Sequence, residues 1–274
     1  MKIVRYKIDK SIKYGALSGN EVIELRGSVY SMFRQTFIKH SVSDIQILCP
    51  VKPNQIWGPK YNLQKSDEGY ITTEYGLDPW LKVSNAICGP NESIVIENNL
   101  FNKIGVTSSL VAVIGKQCKK INSKNISKYI LGYTCGIDVA SKRTEPNKST
   151  RWRAKSSDNF SPVGPYLETE FDVQRFSVAM DINGSKIQRF TVADLPYSPY
   201  EIVSQISQEA TLQPGDLVFL GGPEPYTSVQ YGDEVSCSIE GIGVLHSRMV
   251  EEYVSKRPTE VTSGQQTRQR KLVI

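Results

Sequence analysis

Apolar and polar positions alternate along most of this chain, with few stretches at helical spacing. Residues 2–8, 13–18 and 21–25 read as three short strands separated by Gly turns. Further strand-like runs cover 93–96, 109–114, 129–139, 176–182, 216–220 and 234–239. Asn183-Gly184 sits between two such runs and predicts a type I′ hairpin turn. Two helices are expected, one over 28–37 and one over 200–209, the second ended by the turn at 212–216. Many strands, few helices and no regular βαβ alternation exclude a doubly wound sheet and predict an α+β, strand-rich roll or sandwich.

The pattern divides the chain into three parts. Residues 1–50 form a small N-terminal α/β unit, Val51-Lys52-Pro53-Asn54-Gln55 enters a main domain over 51–254, and 255–274 is a polar, basic, aperiodic tail expected to be disordered. The tail carries part of the net charge of +5. No nucleic-acid motif or aromatic-interleaved basic groove accompanies it, so no nucleic-acid partner is expected. No apolar run approaches the roughly 20 residues of a membrane span. The start of the chain lacks the apolar stretch of a signal peptide, so a cytoplasmic location is expected. Cys49, Cys88, Cys118, Cys135 and Cys237 are odd in number and scattered, which predicts reduced thiols rather than a disulfide framework or a zinc site. Cys135, three residues before Asp138, reads as a packed core thiol. His40 and His246 are the two histidines, and His246 lies in a strand-like run that favours a structural role.

Four segments carry a family resemblance: Val-Ala-Val-Ile-Gly-Lys at 111–116, Gly-Tyr-Thr-Cys-Gly-Ile-Asp-Val at 132–139, Ala-Lys-Ser-Ser-Asp-Asn-Phe-Ser-Pro-Val-Gly-Pro at 154–165, and Leu-Gln-Pro-Gly-Asp at 212–216. In that order and spacing, over roughly 51–250, the chain resembles the fumarylacetoacetate hydrolase superfamily. The resemblance implies a mixed β-roll with a small N-terminal domain, a homodimer, and a small 1,3-dicarbonyl or 2-oxo acid substrate. Members usually work around a Mg²⁺ or Mn²⁺ ion.

Residue by residue, Asp138 stands where the family has the aspartate of its metal triad. Lys155 matches the active-site lysine, and Asp158 matches the aspartate of the same segment. Lys82 falls on the lysine of the family's Phe-x-Lys-Pro stretch, with Val83 in place of the proline. Gln188 follows the hairpin where the family often has a substrate-facing glutamine. Tyr61 matches the tyrosine of an Asn-Tyr-x-x-His-x-x-Glu segment, in which Gln64 takes the histidine position and Asp67 the glutamate position. The two metal-binding glutamates read Thr107 and Ser109, and the Thr-Gly-Thr-Pro loop has become Gly221-Gly222-Pro223.

These departures change the expected chemistry. Mg²⁺ and Mn²⁺ need hard, usually charged oxygen ligands, so Asp138 with two neutral hydroxyls predicts no resident ion, or a weak site at most. Gln64 has no basic nitrogen near neutral pH and cannot serve as a general base. Lys155, Asp138 and Gln64 are therefore the expected catalytic residues, with Lys82, Tyr61, Gln188, Thr107, Ser109 and Gly222 contacting substrate and no residue assigned to a metal. Lys155 would hold an enolate or carboxylate, or, if desolvated, act as an acid–base group or Schiff-base amine. Arg151-Trp152-Arg153 reads either as an anion clamp or as a solvated loop, and Tyr70, Tyr75 and Trp80 as lid or as packing. Three readings stay open: metal-independent isomerisation, cyclisation, dehydration or C–C cleavage in a specialised biosynthetic pathway; a metal-dependent hydrolase or decarboxylase with a rearranged ion site; and a non-catalytic binding protein on the same fold.

Overall fold

The computed structural model describes residues 1–60, 65–66, 69–70, 77–96, 104–141, 151–222 and 226–251. The first strands are β1 (Lys2–Ile8), β2 (Ser11–Ser18), β3 (Glu21–Gly27), β4 (Phe33–Ser41) and β5 (Gln46–Leu48). Six short ones follow: β6 (Ile56–Pro59), β7 (Lys65–Ser66), β8 (Gly69–Tyr70), β9 (Pro79–Lys82), β10 (Ile87–Cys88) and β11 (Ile94–Ile96). The longest pair is β12 (Ile104–Ile114) and β13 (Ile130–Ser141). After the short helix α1 (Arg151–Lys155) come β14 (Ser161–Glu168), β15 (Ser177–Ile182), β16 (Ser185–Thr191) and helix α2 (Pro199–Glu209). The described chain ends with β17 (Leu217–Phe219), β18 (Thr227–Val229), β19 (Glu234–Ile239) and β20 (Gly243–Glu251).

One large mixed sheet runs β4-β3-β2-β1-β14-β13-β12-β17-β6-β9, and a second runs β11-β20-β19-β15-β16. The strand-rich expectation therefore holds. The N-terminal strands join the large sheet through β1 and β14, with Lys2 opposite Glu168 and Ile3 opposite Leu167. Strand β14 escaped the sequence pattern because Pro162 and Pro165 interrupt its alternation.

Strand β12 is buried along its whole length, so it packs on both faces. Its even positions Ile104, Val106, Leu110 and Ala112 enter the main core with Ile137 and Val139 of β13, Val178 and Met180 of β15, and Ile202 and Ile206 of α2. Its odd positions Val111 and Val113 enter a second cluster with Val163, Phe219 and Trp80. This period of two decides where Thr107 and Ser109 point: they share the odd face, toward the second cluster.

Helix α2 starts on a reciprocal cap, in which Ser198 accepts from the Glu201 amide and Glu201 accepts from the Ser198 amide. The hairpin at Asn183-Gly184 forms as expected, with positive φ at both residues (52° and 78°). The helix expected over 28–37 is not formed. Residues 28–31 make a turn closed by Ser31 N–H donating to the Ser28 carbonyl. The rest enters β4, which pairs antiparallel with β3. The apolar residues mimicked helical spacing, but Val29, Tyr30 and Phe33 reach the second cluster from the turn and strand start. A register shift opposite Ile23–Leu25 leaves Phe37 fully exposed. No described helix is long and apolar enough to cross a membrane.

Candidate active site

The register of β12 and β13 builds the floor of a small cleft. Thr107 lies directly opposite Asp138, and Ser109 opposite Gly136. Directly opposed residues put their side chains on one face, so Thr107, Ser109 and Asp138 converge. Pro59, Trp80, Phe219, Gly221, Gly222 and Tyr226 complete the lining. The free cavity is about 10 Å³, room for about one water-sized group such as a single ligand oxygen, with the rest of a ligand at its mouth.

One wall is apolar. Trp80 lies opposite Gly58 across the β6–β9 pair. A Cβ on Gly58 would fall 2.1 Å from the indole, so glycine is what lets Trp80 lie against the strand. Phe219 packs on Trp80 with ring centroids 5.6 Å apart. Both ammonium groups of the site face the same indole, Lys155 Nζ at 4.6 Å and Lys82 Nζ at 5.4 Å from its centroid.

Asp138 is the centre of the polar wall. Its Oδ2 accepts from Lys155 Nζ at 2.8 Å and from the Tyr226 hydroxyl at 2.5 Å. Its Oδ1 is ion-paired with Lys82 Nζ at 2.7 Å. Lys155 Nζ also donates to the Tyr226 hydroxyl at 2.5 Å. Burial pushes the Asp138 carboxyl up, but the Lys155 and Lys82 ammoniums outweigh it and hold the group below the usual carboxylate range. Burial pushes Lys82 down to about 8, with Asp138 opposing the shift and Lys155 adding to it.

The expected site residues separate by placement. Thr107, Ser109, Asp138 and Gly222 line the cleft, and Lys155 reaches Asp138 at its edge. Ser109 Oγ is tied to backbone, donating to the Leu110 carbonyl and accepting from the Leu220 amide. Lys82 and Gln188 are not in the lining. Lys82 Nζ donates to the carbonyls of Val139 (3.1 Å) and Phe160 (2.5 Å) and is ion-paired with Asp138. Gln188 Oε1 accepts from Thr107 Oγ1 and the Ser108 amide, while Nε2 donates to Thr227 Oγ1. It ties β16 to β12 and β18. Asp158 is exposed and accepts from Asn85. Tyr61 and Gln64 lie outside the described residues, as do Asp67 and Tyr75 and the side chains of Tyr70, Arg151 and Arg153. Trp152 is exposed. Cys135 is fully buried against the Gly243 carbonyl, and burial raises its thiol well above its usual range, which suits packing and not nucleophilic attack.

Tyr226 is the residue that the sequence pattern did not single out. It touches Asp138 from 88 positions away. The one available signal was its closeness to the altered loop at 221–223. Its position follows from β18, where Thr227 pairs with Val106 and so brings the preceding residue up to Thr107.

The described residues do not fit a resident dication. Among the described residues Asp138 is the single carboxylate lining the cleft, and both its oxygens already face ammonium groups. No cluster of three or more His, Cys, Asp or Glu suited to an ion occurs among the described residues. The Gly222 backbone also sits on the hydroxyl row, where an added Cβ would lie 2.3 Å from the Ser108 carbonyl and 2.6 Å from Thr107 Oγ1.

Residues 66–250 match the sequence profile of the fumarylacetoacetate (FAA) hydrolase C-terminal region. The chain belongs to the fumarylacetoacetate hydrolase family. Residues 1–50 match a second profile, described as Rv2993c-like, N-terminal. Protein Rv2993c of Mycobacterium tuberculosis is 31% identical over 217 residues, covering 76% of this chain and 80% of the relative. The crystal structure of 2-hydroxyhepta-2,4-diene-1,7-dioate isomerase from Mycobacterium marinum superposes with a TM-score of 0.84 at 27% identity, covering 93% of this chain and all of that one. Oxaloacetate tautomerase Fahd2a of Rattus norvegicus is 28% identical over 180 residues, covering 62% of this chain and 57% of the relative. Relatives in this family thus carry names of isomerases, hydrolases and decarboxylases of oxo-acid compounds. One hydrolase structure is described as a complex with manganese(II) and pyruvate.

Proposed function

We propose that this chain is a family enzyme that interconverts keto and enol forms of a small 2-oxo acid or 1,3-dicarbonyl compound without a resident metal ion. The observation that carries the reading is the Lys155 ammonium, held at 2.8 Å on Asp138 at the edge of a cleft whose other wall is apolar. Enolisation passes the C3 proton to a water at the mouth of the cleft and moves charge onto the C2 oxygen, and a fixed positive group stabilises that charge where it develops. Lys155 is tied to Asp138 and Tyr226, which positions it as a hydrogen-bond donor to a ligand oxygen rather than as a free Schiff-base nucleophile. Asp138, with two ammoniums on it, is a poor proton acceptor, and its role is to fix Lys155. Isomerisation is favoured over the cyclisation, dehydration and C–C cleavage that the same substrate class allows, because enolisation is the step all of them share and it needs the fewest groups. Names of relatives as a tautomerase and isomerases support the choice. A homodimer in the cytoplasm remains the expected setting.

The test follows keto–enol interconversion of oxaloacetate by ultraviolet absorbance in excess chelator. Turnover by the wild-type chain that is lost in Lys155→Gln supports the reading. Turnover that is absent with chelator and restored by Mn²⁺ points instead to an ion-dependent family enzyme. Binding of oxaloacetate with no turnover under either condition points to a binding protein.

A further inference from the structure

We infer that the Lys155 ammonium and the Tyr226 phenol form a side-chain oxyanion hole that grips an anionic oxygen of the ligand. The inference takes its ligand class, planar 2-oxo acids and their enolates, from the function proposed above.

Three observations converge on the pair. Tyr226 lines the cleft, and its hydroxyl is 2.5 Å from Lys155 Nζ. Two donors that close can both reach one oxygen at ordinary hydrogen-bond distances of about 3 Å. Placement then separates the two lysines. Lys82 is fully buried outside the cleft lining, donates to the Val139 and Phe160 carbonyls and is ion-paired with Asp138, while Lys155 at the cleft edge donates to Asp138 and Tyr226 and, among the described residues, has a third proton left for a ligand. Finally, Asp138 has Lys82 on its other oxygen at 2.7 Å, so it stays neutralised when the phenol turns its proton from Oδ2 to an arriving ligand.

The geometry of the walls supports the same role. Tyr226 is fixed at one end by the pairing of Thr227 with Val106, and Lys155 is fixed by Asp138 and by the faces of Trp80 and Tyr226. Donors fixed before the ligand arrives need no reorganisation when charge develops. Trp80, Phe219 and Pro59 keep the surroundings apolar, which strengthens both hydrogen bonds.

Oxalate is the probe, because it is a planar anion with oxygens placed as in an enolised 2-oxo acid. Calorimetry in excess chelator should show wild-type binding, about tenfold or more weaker in Tyr226→Phe and lost in Lys155→Met. The phenylalanine keeps the ring under Lys155 and removes only the hydroxyl. With oxaloacetate, Tyr226→Phe should lower kcat by about 10²-fold or more with a smaller change in KM. Equal oxalate affinity and equal kcat in Tyr226→Phe overturn the oxyanion hole while leaving the enzyme reading intact. Oxalate binding that depends on Tyr226, with no turnover of any 2-oxo acid, keeps the oxyanion hole and sinks the enzyme reading. Failure of the wild-type chain to bind oxalate without metal overturns the oxyanion hole. Should Tyr226→Phe fail to fold, the tyrosine ultraviolet difference spectrum of the wild-type chain decides. A perturbation on adding oxalate supports the contact, and its absence sinks it.

Discussion

The two oxygens of Asp138 look into two different environments. On the Oδ1 side lies Lys82, fully buried and ringed by two carbonyls and a carboxylate. On the Oδ2 side lie Lys155 and Tyr226, which meet the cleft. The same residue type, paired with the same carboxylate, thus does two jobs. The dry lysine is held by two carbonyls and its ion pair with Asp138, away from the cleft. The lysine at the cleft keeps one proton for a ligand. Sequence position alone does not separate them, because the distinction rests on which oxygen of Asp138 each ammonium meets and whether that side opens to the cleft.

Removing the shared partner should break both sides at once. Asp138→Asn leaves two ammoniums facing a neutral amide, and stranding buried charge costs about 3–5 kcal/mol. Chemical denaturation should show that loss, together with loss of turnover. A variant as stable as the wild type would show that solvent reaches Lys82.

The next effect is a crossed one. Lys155→Met should lower turnover by about 10²-fold or more while costing stability only about 1–2 kcal/mol. Lys82→Met should reverse the order, with a stability loss of about 3 kcal/mol and a smaller effect on ligand affinity. It leaves the Val139 and Phe160 carbonyls without their ammonium donor and Asp138 with Lys155 alone. Equal profiles for the two variants would erase the division between the sides.

Proton linkage gives a finer test of the same division. Lys82 is held down at about 8, below the value of 10.5 it has when exposed. Between those values the unfolded chain binds more protons than the folded one, so this group makes stability rise with pH from about 8 to about 10.5. Asp138 acts at the acid end. Its folded-state value lies below the ordinary one, so its contribution is present above the ordinary carboxylate value, about 3.9, and is lost as pH falls through the folded value. Denaturation midpoints across pH should lose the alkaline rise in Lys82→Met and weaken at the acid limb in Asp138→Asn. Burial raises Cys49, Cys88, Cys118 and Cys135, which pull stability the other way in this range, so the decisive quantity is the wild-type curve minus that of Lys82→Met, and a difference that does not rise from pH 8 to pH 10 would contradict the Lys82 environment.

The frame around these side chains was legible from alternation. The runs at 109–114 and 129–139 became β12 and β13, the Asn183-Gly184 turn closed its hairpin, and α2 formed over the expected residues. Thr107, Ser109 and Asp138 converge because a period of two and one register put them on one face. What alternation does not encode is contact between distant segments. Tyr226 and Lys82 reach Asp138 from separate strands and loops, and Gln188 turned to bond Thr107 and Thr227 instead of entering the cleft. The stretch 28–37 failed for the opposite reason: a turn followed by a strand buried Val29, Tyr30 and Phe33 in the same cluster a helix would have reached.

The smallest predicted effect concerns the loop that covers the hydroxyl row. Gly222 leaves no room for a side chain, since a Cβ would lie 2.3 Å from the Ser108 carbonyl, a backbone atom of the central strand. Ser108 is held in β12 opposite Ile137 of β13 and by its amide on Gln188, so the loop is the part that must move. Gly222→Ala should therefore cost about 1–3 kcal/mol, the usual penalty for overpacking. The displacement would also draw the loop off Thr107 and widen the cleft beside Lys155, so oxalate affinity should change more than the stability of β12 and β13. Amide exchange can separate the two. Protection in β12 should stay near the wild-type level while protection at 219–222 falls. Uniform loss of protection across β12 and β13 would mean that the loop supports the central pair and does not merely lie on it.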